Sequence, residues 1–332
     1  MSRRAWLGLW IAAAALIVPA AHLALGRGVD WSELLAGTDT VSWRVLTELR
    51  LPRLVVALFA GTALGLAGLA LQSVLRNSLA APELTAVNPS AVLGYLIASG
   101  TGLIDGGSVF SSVLSATVGG LLGGGLLWLV AHRRTSEQTA VLGLLSALAL
   151  TGVVTILIAA RPTGVGGALR WLIGSVEARV AEHVPMIAIP VLAGFAALVL
   201  VADRLEILAV SDSHAHCLGV SPGFWRGVGI GIAVLLASAA VATVGPLAFV
   251  GFVAPHVVRL VFGGRLRRQV VLVAVCGGLF VAASDLIAKA VSLAIQLTGD
   301  GQQVGVPVGA VTCLIGAAAL VAVASSHQEP EP

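Results

Sequence analysis

The stretch GVGIGIAVLLASAAVATVGPLAFVGFVAP, residues 227–255, contains no charged residue and is too long for a single membrane-spanning helix. A bilayer core about 30 Å thick is crossed by about 20 apolar residues in a helix. Gly245 and Pro246 divide the stretch, because proline removes a backbone donor and clashes with the preceding helical turn. The stretch therefore predicts two consecutive apolar helices, of which the second is short.

Apolar stretches of this kind recur along the whole chain. Of its 332 residues, 58% are hydrophobic and 11% are charged, whereas soluble domains contain about 25% charged residues. The net charge of +3, without a long basic run, predicts no nucleic-acid partner. We therefore predict an all-α polytopic membrane protein that is one domain over residues 1–332. About ten spans are expected, at 6–26, 52–75, 88–104, 109–131, 139–160, 184–202, 226–244, 247–263, 269–296 and 304–325.

The N-terminus predicts an uncleaved first span. Arg3 and Arg4 precede an apolar run of about 20 residues, which exceeds the 7–15 residues of a signal-peptide core. The distribution of Lys and Arg among the loops favours cytoplasmic N and C termini. The longest predicted cytoplasmic segment, 203–226, has the mixed polarity of a loop with one or two short helices, and it is interpreted as an ordinary surface loop or as a docking surface.

No enzyme motif is present. A phosphate-binding loop requires a Gly-Lys pair, and the only lysine, Lys289, follows Ala288. His214, His216 and Cys217 are residue types that bind zinc or copper, but no fourth ligand lies nearby, and a solvated loop is the simpler interpretation. We expect no catalytic residue, no cofactor and no metal site.

Asp285 and Lys289 are charges within an otherwise apolar span. They lie four residues apart, on one helix face, and ionisable groups at membrane depth pair, line a cavity or serve transport. One interpretation is a mutually neutralising pair, and the alternatives are a proton-coupling carboxylate or a lysine that reaches a partner. His256 is likewise interpreted as a hydrogen-bonded core residue or as a proton relay.

Small residues four apart predict close helix packing, because helices in lipid associate through close backbone approach. They occur at Gly61 and Gly65, at 120 and 124, and at 227 and 231. Packing within the subunit is the simpler interpretation, and a homodimer contact is the alternative.

Several motifs carry a resemblance to a known family. They include LRLPRL at 49–54, VLRNSLA at 74–80, WLIGS at 171–175, VPVGAVT at 306–312 and the stretch GPLAFVGFVAPHVVRL at 245–260. The chain resembles the FecCD-type permeases of ABC importers, which take up vitamin B12, iron-siderophores and haem, over a family core of about 45–325. It departs from the family at Ser78, where relatives read proline, and at Ala318 and Ala319, where relatives read GAPFF. The motif residues are Gly245, Pro246, Gly251, Pro255, His256 and Arg259.

The resemblance implies a type II ABC importer permease bundle in a bacterial inner membrane. Implied partners are a second permease, identical or paralogous, two cytoplasmic ATPases that hydrolyse ATP, and a periplasmic or lipid-anchored substrate-binding protein. The substrate class is iron-siderophore or a related metal chelate, moved inward by alternating access. A proton-coupled secondary transporter that uses Asp285 or His256 is the alternative.

The resemblance also assigns residues to roles. Arg50, Arg53 and Lys289 are expected to dock the binding protein. The ATPase coupling loop is expected to include Leu205, Glu206, Ser211, Asp212, Leu218, Gly219 and Val220. The inner gate is expected near Asn88, Ser90, Thr135 and Ser136.

Overall fold

A computed structural model describes residues 3–26, 29–35, 40–104, 108–131, 136–160, 173–298 and 305–326. Within these residues the secondary structure is helical. The helices are α1 (Arg3–Ala24), α2 (Trp31–Leu35), α3 (Thr40–Arg44), α4 (Leu51–Leu75), α5 (Val87–Gly100), α6 (Val109–Ala131), α7 (Ser136–Ala159), α8 (His183–Val210), α9 (Asp212–Cys217), α10 (Pro222–Val244), α11 (Val250–Val261), α12 (Leu266–Thr298) and α13 (Val308–Ser326). A π-helical turn, Val45–Arg50, leads into α4, and a 3-10 turn, Pro82–Leu84, precedes α5.

The predicted spans are confirmed as helices. In the described part of the chain, six helices are long and apolar enough to cross a membrane, and three shorter apolar helices accompany them. Together with α5, they lie at the positions of the ten predicted spans. The span predicted to be short after Pro246 is the 12-residue α11, and α5, with 14 residues, is also short.

Helix α4 is the centre of the bundle. It packs against α12, α10 and α8, and most of its residues are buried. A Cβ at Gly61 would overlap the carbonyl oxygen of Gly277, and a Cβ at Gly68 would overlap that of Gly251. Glycine at these positions lets α12 and α11 approach α4 at backbone distance, which is how helices associate without a hydrophobic driving force.

The predicted glycine pairs mostly serve packing within the subunit. A Cβ at Gly120 or Gly124 would meet side chains of α10, and one at Gly227 would meet Trp128 of α6. Gly231 is different, because in the described part of the chain no atom beyond its own helical turn lies within 4 Å of its Cβ position.

The break between α10 and α11 lies at the predicted dipeptide. Gly245 has φ +78°, and Phe249 takes a left-handed conformation just before α11 begins. The N–H of Ser175 donates to the carbonyl oxygen of Val244 at 2.7 Å. This bond satisfies one of the carbonyl groups that a helix end leaves free.

The two ends of the bundle are named here after residues at the two ends of α4, which is about 37 Å long. Helix α4 begins at the Arg53 end, and Arg76 follows its last turn at the Arg76 end. The predicted loop 203–226 lies at the Arg76 end and is mainly helical. Helix α8 continues to Val210, and α9 and the first turn of α10 follow.

Candidate functional sites

Four side chains from three helices form a buried cluster at the Arg53 end, called here the Asp285 cluster. Nε and Nη2 of Arg53 donate to Oδ2 and Oδ1 of Asp285 at 2.8 and 2.7 Å. Nε2 of His22 lies 2.7 Å from Oδ2 of the same carboxylate. Nζ of Lys289 lies 3.3 Å from both Nδ1 and the carbonyl oxygen of His22. The side chains of His22 and Asp285 are 0% and 1% exposed, so the carboxylate is almost fully removed from solvent.

Of the interpretations left open for Asp285 and Lys289, the mutually neutralising pair is not the arrangement that the structure shows. Asp285 pairs with Arg53, which is 232 residues away in sequence, and Lys289 contacts His22 instead. Arg53 meets the carboxylate with two parallel hydrogen bonds, a geometry that the single ammonium group of Lys289 does not provide. The carboxylate is thus held as the partner of a cation, which disfavours the interpretation of Asp285 as a free proton site.

Arg50 is the most buried of the predicted docking residues. Its side chain lies at the end of α1, where Nη1 donates to the carbonyl oxygens of Leu23 and Ala24 at 2.5 and 3.3 Å. A cation at a helix C-terminus satisfies free carbonyl groups and complements the helix dipole. Arg50 therefore helps to fix α1 against the start of α4.

A cleft of about 380 Å³ opens beside the Asp285 cluster. Four cationic side chains and one carboxylate line it: Arg50, Arg53, Arg179, Lys289 and Glu177. The sequence interpretation missed Arg179 and Glu177, and also His22, because nothing local to them indicates a site. Nη1 of Arg179 lies 3.2 Å from Nε2 of His183, and burial lowers the pKa of its guanidinium. We call this space the cationic cleft.

Asp212 joins two arginines at the Arg76 end. It forms an ion pair with Arg76, and Nη2 of Arg226 donates to its two oxygens at 3.1 and 3.3 Å. The side chain of Asp212 is 47% exposed. The contact therefore ties α9 to the end of α4 and to α10 while leaving the carboxylate open to solvent.

The other predicted coupling residues have different surroundings. Ser211 accepts a hydrogen bond from the N–H of His214 at 3.0 Å and so caps α9. Oε2 of Glu206 accepts from the N–H of Leu266 at the start of α12 at 3.1 Å. Leu205 and Val220 are buried in the core, whereas Leu218 is 54% exposed. Gly219, with φ +71°, has open space at its Cβ position.

The segment with His214, His216 and Cys217, interpreted from the sequence as a solvated loop, is the helix α9. Residues two apart on a helix point about 200° from one another, so His214 and His216 diverge. Among the described residues, no group of three His, Cys, Asp or Glu side chains is placed to hold a metal ion.

The motif that follows the break forms a polar contact with α4. Nε2 of Gln72 donates to the carbonyl oxygen of Gly251 at 3.0 Å, and Nη2 of Arg259 donates to Oε1 of Gln72 at 2.6 Å. His256 stacks on Phe252 with ring centroids 5.5 Å apart. Pro255 is buried within α11. These contacts give the motif a structural role, because they fix α11 against α4.

The predicted gate residues are only partly described. Ser90 lines an apolar cleft of about 550 Å³ between α5, α6 and α7. Oδ1 of Asn88 is buried without a hydrogen-bond partner in the described part of the chain. Thr135 lies outside the described residues, and for Ser136 only the backbone, at the start of α7, is described.

Glu83 is a buried carboxylate that the sequence interpretation missed. It lies between α4 and α5, and both of its oxygens are shielded from solvent without a hydrogen bond of normal geometry to any described residue. Burial raises the pKa of Glu83 to about 7, although the backbone N–H groups of Phe249 and Gly251 nearby act in the opposite direction.

Comparison with known proteins gives a consistent picture. The model of the FecCD transport family matches residues 9–326. The Fe(3+) dicitrate transport system permease protein FecD of Escherichia coli is 36% identical over 297 residues, which are 87% of this chain and 88% of the relative. The ferric enterobactin transport system permease protein FepG of the same organism is 34% identical over 83% of this chain and 81% of the relative.

More distant proteins are also similar to this chain. The cobalamin import system permease protein BtuC of Halobacterium salinarum is 30% identical, with 85% of this chain and 73% of the relative covered. A solved ABC transporter assigned to the metal-chelate type, in an inward-facing conformation, superposes with a TM-score of 0.83. It is 22% identical, with 96% of this chain and 98% of that chain covered.

Proposed function

The chain belongs to the FecCD transport family, and from that premise we propose that it is the membrane permease of an ATP-driven importer for a ferric chelate. The family match over residues 9–326 is the observation that carries the proposal. The relatives named for Fe(3+) dicitrate and ferric enterobactin support an iron chelate as the substrate class. A corrinoid is the second candidate, favoured by the similarity to a cobalamin permease.

ATP hydrolysis is assigned to a separate pair of subunits. The chain has one lysine, and it has no phosphate-binding motif. That lysine, Lys289, is half-buried against His22 at the Arg53 end. The proposed permease therefore needs two partner ATPases and, to enclose a pathway, a second permease that is identical or paralogous.

The ATPase is proposed to dock at the Arg76 end. The exposed side chain of Leu218, the open space at Gly219 and the half-exposed carboxylate of Asp212 provide a surface there. Through the contacts of Asp212 with Arg76 and Arg226, a displacement of α9 by the ATPase would be transmitted to α4 and α10. This arrangement supports cytoplasmic termini, because α1 begins at the same end.

The binding protein is proposed to dock at the cationic cleft. Lobes of a partner that present carboxylates would meet the cations of the cleft, and charge complementarity of this kind favours encounter and orientation. Arg53 and Lys289 retain the role expected from the sequence, Arg179 joins them, and Arg50 contributes positive charge from a buried position.

The test of energy coupling uses right-side-out vesicles that contain the permease, its ATPase and its binding protein. We expect uptake of ferric citrate or a ferric siderophore that requires internal ATP and persists when the proton gradient is collapsed. Uptake driven by the gradient without ATP would instead support the secondary transporter that uses Asp285 or His256.

The test of docking reverses one charge of the cleft. Arg179→Glu is expected to weaken binding-protein affinity about tenfold, a loss of about 1.4 kcal/mol, without preventing assembly. Arg44→Glu is the matched control, because Arg44 is exposed and is not among the residues that line the cleft. Equal affinities for the two variants would contradict docking at the cleft.

A further inference from the structure

The guanidinium of Arg53 is held along one edge only. Nε and Nη2 both bind the Asp285 carboxylate, which fixes the position and the plane of the group. In the described part of the chain, no partner contacts Nη1. The Arg53 side chain is 19% exposed, against 1% for Asp285, and it lines the cationic cleft. The edge of the guanidinium formed by Nε and Nη2 is therefore occupied, and Nη1 remains available to a partner.

His22 links the same carboxylate to Lys289. Its Nε2 faces an oxygen of Asp285 that accepts hydrogen bonds only, so Nε2 carries the proton and donates. Nδ1 is then the acceptor, and Nζ of Lys289 lies 3.3 Å from it. One neutral tautomer of His22 thus satisfies both contacts. It also holds Lys289, which lines the same cleft.

Stability alone does not explain a charged cluster at this place. A buried ion pair is commonly no better than well-packed apolar side chains of similar volume, because both charges lose their hydration. Here the buried residues, His22 and Asp285, each contact a cation that lines the cleft. What the cluster adds is a fixed geometry for two positive groups at the cleft.

We propose that Asp285 and His22 are positioning residues that hold Arg53 and Lys289 in place to receive a carboxylate of the binding protein. This inference rests on the proposed docking role of the cationic cleft. Asp285 fixes the fork of Arg53 so that Nη1 meets the partner. His22 fixes the ammonium of Lys289 beside it.

A charge swap separates positioning from simple pairing. In the double variant Arg53→Asp with Asp285→Arg, an ion pair between α4 and α12 can still form, but the cation now extends from α12. The binding protein that copurifies with the wild-type complex is the probe. Its affinity for the transporter in nanodiscs and the melting temperature of the complex are measured together.

We expect the swap to recover most of the melting temperature that Asp285→Asn loses, while binding-protein affinity stays at least tenfold below wild type. Recovery of affinity together with melting temperature would overturn the proposal, because a structural pair works in either direction. Affinity of Asp285→Asn within twofold of wild type would overturn it as well.

A second variant covers the case in which the swap does not assemble. Arg53→Lys keeps the charge and loses the two-bond fork, so we expect about tenfold weaker binding from an assembled complex. Wild-type affinity in this variant would show that the charge alone suffices. Failure of docking itself gives a different result, since Arg179→Glu would then also bind normally.

Discussion

Asp285 at the Arg53 end and Asp212 at the Arg76 end each join side chains from two other segments of the bundle, yet their carboxylates are 1% and 47% exposed. The partners are similar, with an arginine at one end of α4 in both cases: Arg53 in its first turn and Arg76 just after its last. The energetics differ, because an unpaired charge in a buried site is far more costly than one in contact with water. The contact between aspartate and arginine is therefore costly to break at the Arg53 end, where the carboxylate is buried, and less costly at the Arg76 end, where the carboxylate is in contact with water.

Removing the buried carboxylate should have the largest effect. Asp285→Ala leaves Arg53 without its partner, and we expect a loss of about 3–5 kcal/mol of stability, measured as a large fall in melting temperature in detergent. The control replaces both Arg53 and Asp285 with leucine, which removes both members of the ion pair together and should cost less, although Nε2 of His22 loses its acceptor. A double variant less stable than Asp285→Ala would contradict this account.

Glu83 sharpens the comparison, because its carboxylate oxygens are shielded from solvent like those of Asp285 but have no cationic partner among the residues that the structure describes. With a pKa raised to about 7, its protonated form is favoured in the folded state. Its contribution is complete below about pH 4.5 and is lost as the pH rises through 7, by up to about 3 kcal/mol. Thermal melting between pH 5 and 8 should show this slope, and Glu83→Gln should flatten it. An unchanged slope in that variant would assign the pH dependence to another group.

The glycines of α4 allow α12 to pack closely against α4, and this packing brings Asp285 to Arg53. Gly61→Ala places a methyl group against the backbone of Gly277, and overpacking of this kind costs about 1–3 kcal/mol. Gly125→Ala on α6 is the matched control, since no described residue beyond its own helical turn has an atom within 4 Å of its Cβ position, and alanine favours a helix there. Melting temperatures of the two variants should move in opposite directions.

The exposed carboxylate should matter least to stability. Asp212→Ala is expected to cost about 1 kcal/mol, because the carboxylate is 47% exposed whereas the side chain of Arg226, which loses its partner, is 9% exposed. It should lower ATP-dependent uptake because α9 loses its link to Arg76 and Arg226. Uptake and melting temperature are measured on the same preparation. Normal uptake in this variant would remove Asp212 from the proposed coupling surface.

Much of the fold was predictable because membrane spans have a local signature. Each span is recognised from the length of an apolar run, and the break is recognised from the proline at 246, so both require only residues that are adjacent in sequence. All ten predicted spans are helices. The charged sites were only partly predictable. The (i, i+4) rule paired Asp285 with Lys289, and it does not indicate Arg53, His22 or Arg179, which come from distant segments.

The sequence by itself determined three things about this chain: that it is an apolar helical bundle, that a helix break occurs at Gly245 and Pro246, and which family it resembles. Only the tertiary structure decided which cation neutralises Asp285 and which side chains line the cationic cleft. The physical reason is that helix formation in lipid satisfies the backbone locally. A buried charge is satisfied only by the side chains that helix packing brings to it, and here glycines on α4 and α12 determine that packing.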